Sequence, residues 1–128
     1  MDIEKLAKTA QSLVAGNRGI LAADESTGTI EKRFQTIGLP NAEPNRRAYR
    51  DMLFTSKGFG DFISGVILFD ETIRQSSLAN APFPELLTKS SSIPGIKVDA
   101  GTVAMPGSPA EKITQGLDGL RERLAEYR

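Results

Sequence analysis

The sequence contains no cysteine and no histidine. Without cysteine there is no disulfide scaffold, no thiolate nucleophile and no thiolate metal site. Without histidine there is no imidazole ligand and no Ser-His or Cys-His catalytic pair. Acid–base work near neutral pH therefore falls to Asp, Glu, Lys or Tyr. An excess of one charge is missing too, because 16 Lys plus Arg balance 16 Asp plus Glu. That removes the basic surplus of a generic nucleic-acid or anionic-membrane binder. No apolar run approaches the ~20 residues of a membrane span. The opening Met1-Asp2-Ile3-Glu4-Lys5 has no signal-peptide apolar core. A soluble, cytoplasmic protein with neither nucleic-acid nor membrane partners is the expectation. The chain that remains has 128 residues, 39% hydrophobic and 25% charged. It is enough for one globular domain and short for two.

Ile3, Leu6, Ala7, Ala10, Leu13 and Val14 follow helical spacing. Asp2 suits the N-cap and Gly16 the stop. Ile20-Leu21-Ala22-Ala23 is a short apolar run that fits a strand buried on both faces. It leads straight into Asp24-Glu25-Ser26-Thr27-Gly28-Thr29. Ile30, Phe34 and Ile37 then recur at helical spacing, and so do Ala48, Tyr49, Met52 and Leu53, with Pro44 tolerable in a first turn. Ile63 to Phe69 is the best strand in the chain and ends on Asp70 and Glu71. Pro84 to Leu87 starts a short helix, and Pro94 to Asp99 is a third strand candidate. A Gly/Pro/Thr-rich loop leads to a last helix with Leu117, Leu120, Leu124 and Tyr127 on one face, running to Arg128. Alternation of strands and helices predicts an α/β fold with a parallel sheet. Periodicity leaves a doubly wound sheet and part of a (β/α)8 barrel both open. In either, polar residues at the C-terminal strand ends are where ligands bind.

Three clusters carry chemistry. Asp24 at a strand tip, followed by Ser26, Thr27 and Thr29 opening a helix, is anion-binding chemistry, with Arg33 one turn on. The plainer alternative is that one of these hydroxyls only caps the helix. Neither a GxGxxG fingerprint nor a Walker A sequence is present; Gly58-Phe59-Gly60 lacks the third glycine. Lys97 and Asp99 stand two apart in a strand candidate, which puts both on one face. Lys97 is either a substrate-facing cation or half of a structural ion pair. Asp70 and Glu71 point to opposite faces, so at most one enters a site directly. Asn45-Arg46-Arg47 with Arg50 reads as a solvated basic helix face.

Five blocks, in order, resemble class I fructose-bisphosphate aldolases. They are Gly19 to Gly28, Asn45-Arg46-Arg47, Gly65 to Phe69, Gly95 to Asp99, and Thr114 to Leu120. The resemblance implies a (β/α)8 barrel with its site at the C-terminal strand ends. It implies reversible cleavage of fructose 1,6-bisphosphate to dihydroxyacetone phosphate and glyceraldehyde 3-phosphate through a lysine Schiff base, with no metal or other cofactor. By motif, Asp24 resembles the catalytic aspartate that contacts the substrate hydroxyls. Ser26 and Thr29 resemble the hydroxyl pair near the 6-phosphate, and Arg33 the arginine at the mouth of that site. Lys97 resembles the lysine that pairs with the aspartate and the 6-phosphate. A complete barrel takes roughly 250 residues, so residues 1–128 are expected to be the N-terminal fragment of one such domain, with about three strands. None of the seven lysines matches the Schiff-base position, which the resemblance places on a later strand. The chain alone is expected to be inactive, and its full-length parent to be a homo-oligomer acting on a sugar phosphate. A non-catalytic binding or assembly module derived from the barrel is the alternative.

Overall fold

Asp2 opens the first helix as read, its carboxylate accepting the Lys5 amide at 3.0 Å. A computed structural model describes residues 2–128. The chain divides after Ile96 into two compact units.

The unit ending at Ile96 holds a parallel sheet with its helices. Its elements are α1 (Ile3–Leu13), β1 (Gly19–Ala23), α2 (Thr27–Gln35), α3 (Glu43–Phe54), α4 (Phe59–Phe62), β2 (Ile63–Leu68), α5 (Asp70–Ile73), α6 (Phe83–Lys89) and β3 (Ile93–Ile96). The sheet order is β1-β2-β3, and both pairings are parallel. Parallel neighbours need crossover connections, which α2 to α4 and then α5 and α6 supply. The strand read with most apolar and β-branched character, β2, takes the centre and is the most buried of the three. Burial of β1 on both faces is not observed. Among the described residues it is an edge strand, covered from one side only, and Ile20 stays 51% exposed.

Ala23, Phe54, Val66, Leu68, Phe83 and Leu87 form the core between sheet and helices. Phe54 meets Phe83 and Phe59 edge-on, with centroids 5.2 and 6.1 Å apart, the geometry that ring quadrupoles favour. Buried serines tie loop ends to the sheet. Ser64 donates to the carbonyls of Leu13 and Gly19, and Ser92 to that of Ile63 at 2.6 Å. Buried hydroxyls find backbone partners in this way because an unmet one is costly.

Helix α3 turns a different face inward from the one its apolar residues predict. Ala48 and Met52 are exposed, whereas Arg50 and Phe54 are buried. Charge gives way to ion pairing here, as described below.

The second unit is Lys97–Arg128. The stretch expected to be a Gly/Pro/Thr-rich loop is an antiparallel hairpin, β4 (Thr102–Met105) with β5 (Ser108–Thr114), turning at Gly107 with φ 80°. Its residues alternate too weakly to signal strands, and Pro109 argues against one; almost all of them are exposed. The last helix, α7, is Leu120–Glu126. It is shorter than its leucine pattern predicts: Leu117 precedes it and Tyr127 caps it. Arg123 reaches back with its fork to the carbonyls of Val98, Gly116 and Asp118, which ties helix and hairpin base together. No helix among the described residues is long and apolar enough to cross a membrane.

Candidate functional site

Parallel β1 and β2 bring their C-terminal ends to one side of the sheet. Asp24 follows β1 directly and is half-buried. Ser26 is the N-cap of α2, its Oγ 3.4 Å from the Thr29 amide and 3.2 Å from Thr29 Oγ1. The capping alternative is thus what the structure shows for Ser26. Ser26 and Thr29 stand exposed at the positive end of α2. A Cβ added to Gly28, in the first turn of α2, would meet no atom within 4 Å.

Arg33 lies one turn further along α2 and is 54% exposed at the side chain. Its Nη1 donates to Tyr49 Oη at 2.9 Å and pairs with Glu25 Oε1 at 2.8 Å. The other oxygen of Glu25 takes Arg50, whose side chain is only 3% exposed. Arg50 Nη2 also donates to the Glu25 backbone carbonyl at 3.0 Å. Burial pushes the Glu25 carboxyl up. The Arg50 hydrogen bond, with the charges of Arg50 and Arg33, outweighs that and holds it below the usual carboxylate range. Glu25 is thus an anion at neutral pH and a poor proton donor.

Neither Glu25 nor Arg50 stands out in the sequence as a site residue. One signal was available: Arg50 precedes the buried Phe54 by one helical repeat, so both must share a face. The solvated basic face expected for Arg46, Arg47 and Arg50 is not observed. Arg46 forks onto Glu71 at 2.8 and 2.6 Å, and Arg47 donates to the carbonyls of Ser76 and Ser77 at 2.7 Å.

Asp70 and Glu71 open α5 instead of ending β2. The Arg46 hydrogen bond draws the Glu71 carboxyl below its ordinary range, and burial only partly offsets it. Glu71 thereby fastens α3 to α5, and Asp70 pairs with Arg74 at 3.0 Å.

Lys97 comes directly after β3 and begins the second unit. The strand ends at Ile96, short of the Pro94-to-Asp99 span expected, and Lys97 and Asp99 meet just beyond it. Lys97 Nζ donates to Asp99 Oδ2, and Asp99 Oδ1 accepts the Gly101 amide at 2.9 Å. The Lys97 hydrogen bond, followed by that of Gly101, holds the Asp99 carboxyl below its usual range. Gly116 lies close behind this stretch, where a Cβ would come within 2.8 Å of Asp99 Cα and Val98 O.

In parallel α/β sheets ligands generally bind at the C-terminal strand ends, the end of β1 at which Asp24 and Ser26 stand. A family model for class-I fructose-bisphosphate aldolase matches residues 5–128, and the chain belongs to that family. It is 58% identical over 127 residues to a probable fructose-bisphosphate aldolase class 1 of Xylella fastidiosa, covering 99% of this chain and 38% of that protein. It is also 58% identical over 124 residues to a Plasmodium falciparum fructose-bisphosphate aldolase, covering 97% and 34%. A crystal structure of the P. falciparum aldolase, in complex with TRAP and a small-molecule inhibitor, superimposes with a TM-score of 0.91 over 97% of this chain and 36% of its own. The chain therefore spans little more than a third of the length of these relatives. Its three parallel strands with their helices are a partial (β/α)8 barrel.

Proposed function

We propose that residues 1–128 form the N-terminal part of one (β/α)8 domain and supply half of the active site of a fructose-bisphosphate aldolase. The reaction is the reversible cleavage of fructose 1,6-bisphosphate to two triose phosphates through a lysine Schiff base. One observation carries this reading: in a member of the class-I family, Asp24 directly follows β1 and is followed by the Ser26–Thr29 hydroxyl pair at the N-terminus of α2. Asp24 is the catalytic carboxylate at the substrate hydroxyls. Ser26, Thr29 and Arg33 bind the 6-phosphate. Lys97 serves that phosphate and the aspartate, and its link to Asp99 is the resting partner of its ammonium. The Schiff-base lysine comes from a later strand of the complete polypeptide, which acts in the cytoplasm as a homo-oligomer.

The test is cleavage of fructose 1,6-bisphosphate, followed by triose phosphate release, in the polypeptide that continues these residues into a lysine-bearing strand. Absence of cleavage defeats the reading and favours a non-catalytic binding or assembly module. In the 128-residue chain, borohydride with dihydroxyacetone phosphate is expected to leave no stable adduct, because the covalent route needs its nucleophile. A saturable adduct on Lys97 would make Lys97 the electrophile instead.

Lys97→Met separates phosphate binding from structure. Loss of a charged hydrogen bond is about 1.5–3 kcal/mol. The drop in kcat/KM is expected to be larger for fructose 1,6-bisphosphate than for fructose 1-phosphate, which has no 6-phosphate. Equal losses would leave Lys97 as a partner of Asp24, or of Asp99 structurally, and not of the phosphate.

A further inference from the structure

We propose that Arg50, acting through Glu25, is a positioning residue that holds Arg33 ready for a phosphate; the inference rests on the aldolase reading above. Arg50 is on α3, buried, and grips residue 25 twice, at its carboxylate and at its backbone carbonyl. Residue 25 stands between Asp24 and Ser26, so this grip fixes the turn that carries both. The free oxygen of the carboxylate then holds Arg33 at 2.8 Å. Tyr49, the neighbour of Arg50 on α3, holds the same guanidinium at 2.9 Å. Its own ring is fixed by the Arg50 guanidinium 5.3 Å from the centroid and by Phe34 edge-on at 6.1 Å. The contacts that restrain Arg33 all lead back to α3.

Such restraint matters for a half-exposed arginine. A long side chain that is already ordered loses less rotamer freedom when it grips a ligand. Both restraining contacts use Nη1; Nη2 and Nε make neither of them. The charges point the same way. Two guanidiniums share one carboxylate, and the buried one is its closer partner. Glu25 therefore steers Arg33 while its own charge is already met by the buried Arg50.

The test compares the wild-type polypeptide with the pair Glu25→Gln and Arg50→Met made together. This pair removes the ionic hold without stranding either charge, whereas either single change risks misfolding. The measurement is kcat/KM for fructose 1,6-bisphosphate and for fructose 1-phosphate. In the paired variant the loss on the bisphosphate is expected to exceed the loss on the monophosphate by about five- to tenfold. Losses equal on both substrates, or no loss, overturn the inference. A wild type that cleaves neither substrate defeats the aldolase reading instead. The inference is then decided by the Arg33 Nε–H resonance, titrated with inorganic phosphate in the same polypeptide. A saturable shift in the wild type that weakens at least severalfold in the paired variant supports it. An equal shift in both, or none in the wild type, overturns it.

Discussion

Asp24→Asn in the complete polypeptide is expected to lower kcat for fructose 1,6-bisphosphate by at least ~100-fold. The substitution keeps shape and removes both the charge and the acid–base group at the end of β1. Asparagine still fills the half-buried position, so the fold should persist, and an unchanged melting temperature would confirm it. On the proposed role of Asp24 at the sugar hydroxyls, the loss should also appear with fructose 1-phosphate. Steady-state rates on both substrates check this. A loss confined to the bisphosphate would move Asp24 from the reacting carbons to the phosphate.

Glu25→Gln alone is expected to lower folding stability by about 3 kcal/mol at neutral pH, because it leaves the Arg50 guanidinium buried without its counter-charge. Arg50 would retain its bond to the backbone carbonyl, which limits the damage. The effect depends on pH with a definite sign. The folded-state pKa of Glu25 lies below its unfolded value. Its ionic contribution is therefore fully present above the unfolded carboxylate range, about 4.3, and is lost as pH falls through the folded pKa. The gap between wild type and variant should be widest near pH 7 and close toward the acid end. Urea unfolding from pH 7 downward measures it. A gap independent of pH would place the damage in packing and not in charge. Glu71 and Asp99 are also held low, so the variant keeps part of the acid sensitivity of the wild type.

What the sequence makes legible follows from what periodicity encodes. Ile63 to Phe69 reads as a strand because apolar, β-branched residues fit the centre of a sheet, and β2, one residue shorter, takes that place. Asp24, Ser26 and Thr29 read as a strand-end cluster because a carboxylate and hydroxyls interrupt an apolar pattern. Pairing of Lys97 with Asp99 is open to the two-residue spacing, although the contact is made beyond the strand. Burial of β1 on both faces is misread because apolar composition carries no information on how many neighbours a strand has. The β4–β5 hairpin is invisible because its residues stay exposed and so need no alternation. Arg50 is hidden for a related reason. Patterning assigns every charge to solvent, whereas a guanidinium met by a carboxylate and a carbonyl goes inside.

The strand order of the first unit matches the order of synthesis, and that sets a timetable. Helix α1 and strand β1 leave the ribosome before β2, yet both lean on it: β1 through its ladder, and α1 through Leu13, whose side chain lies against Gly65 and whose carbonyl takes the Ser64 hydroxyl. About 40 residues separate Ala23 from Ile63. At roughly 5–20 residues per second, translation leaves the first strand without its sheet partner for roughly 2–8 s. Helix–coil relaxation takes about a microsecond or less, so α1, α2 and α3 can each form and melt many times in that interval. The arrival of β2 then lets the first helix, the first strand and the turn bearing Asp24 lock down in a single event.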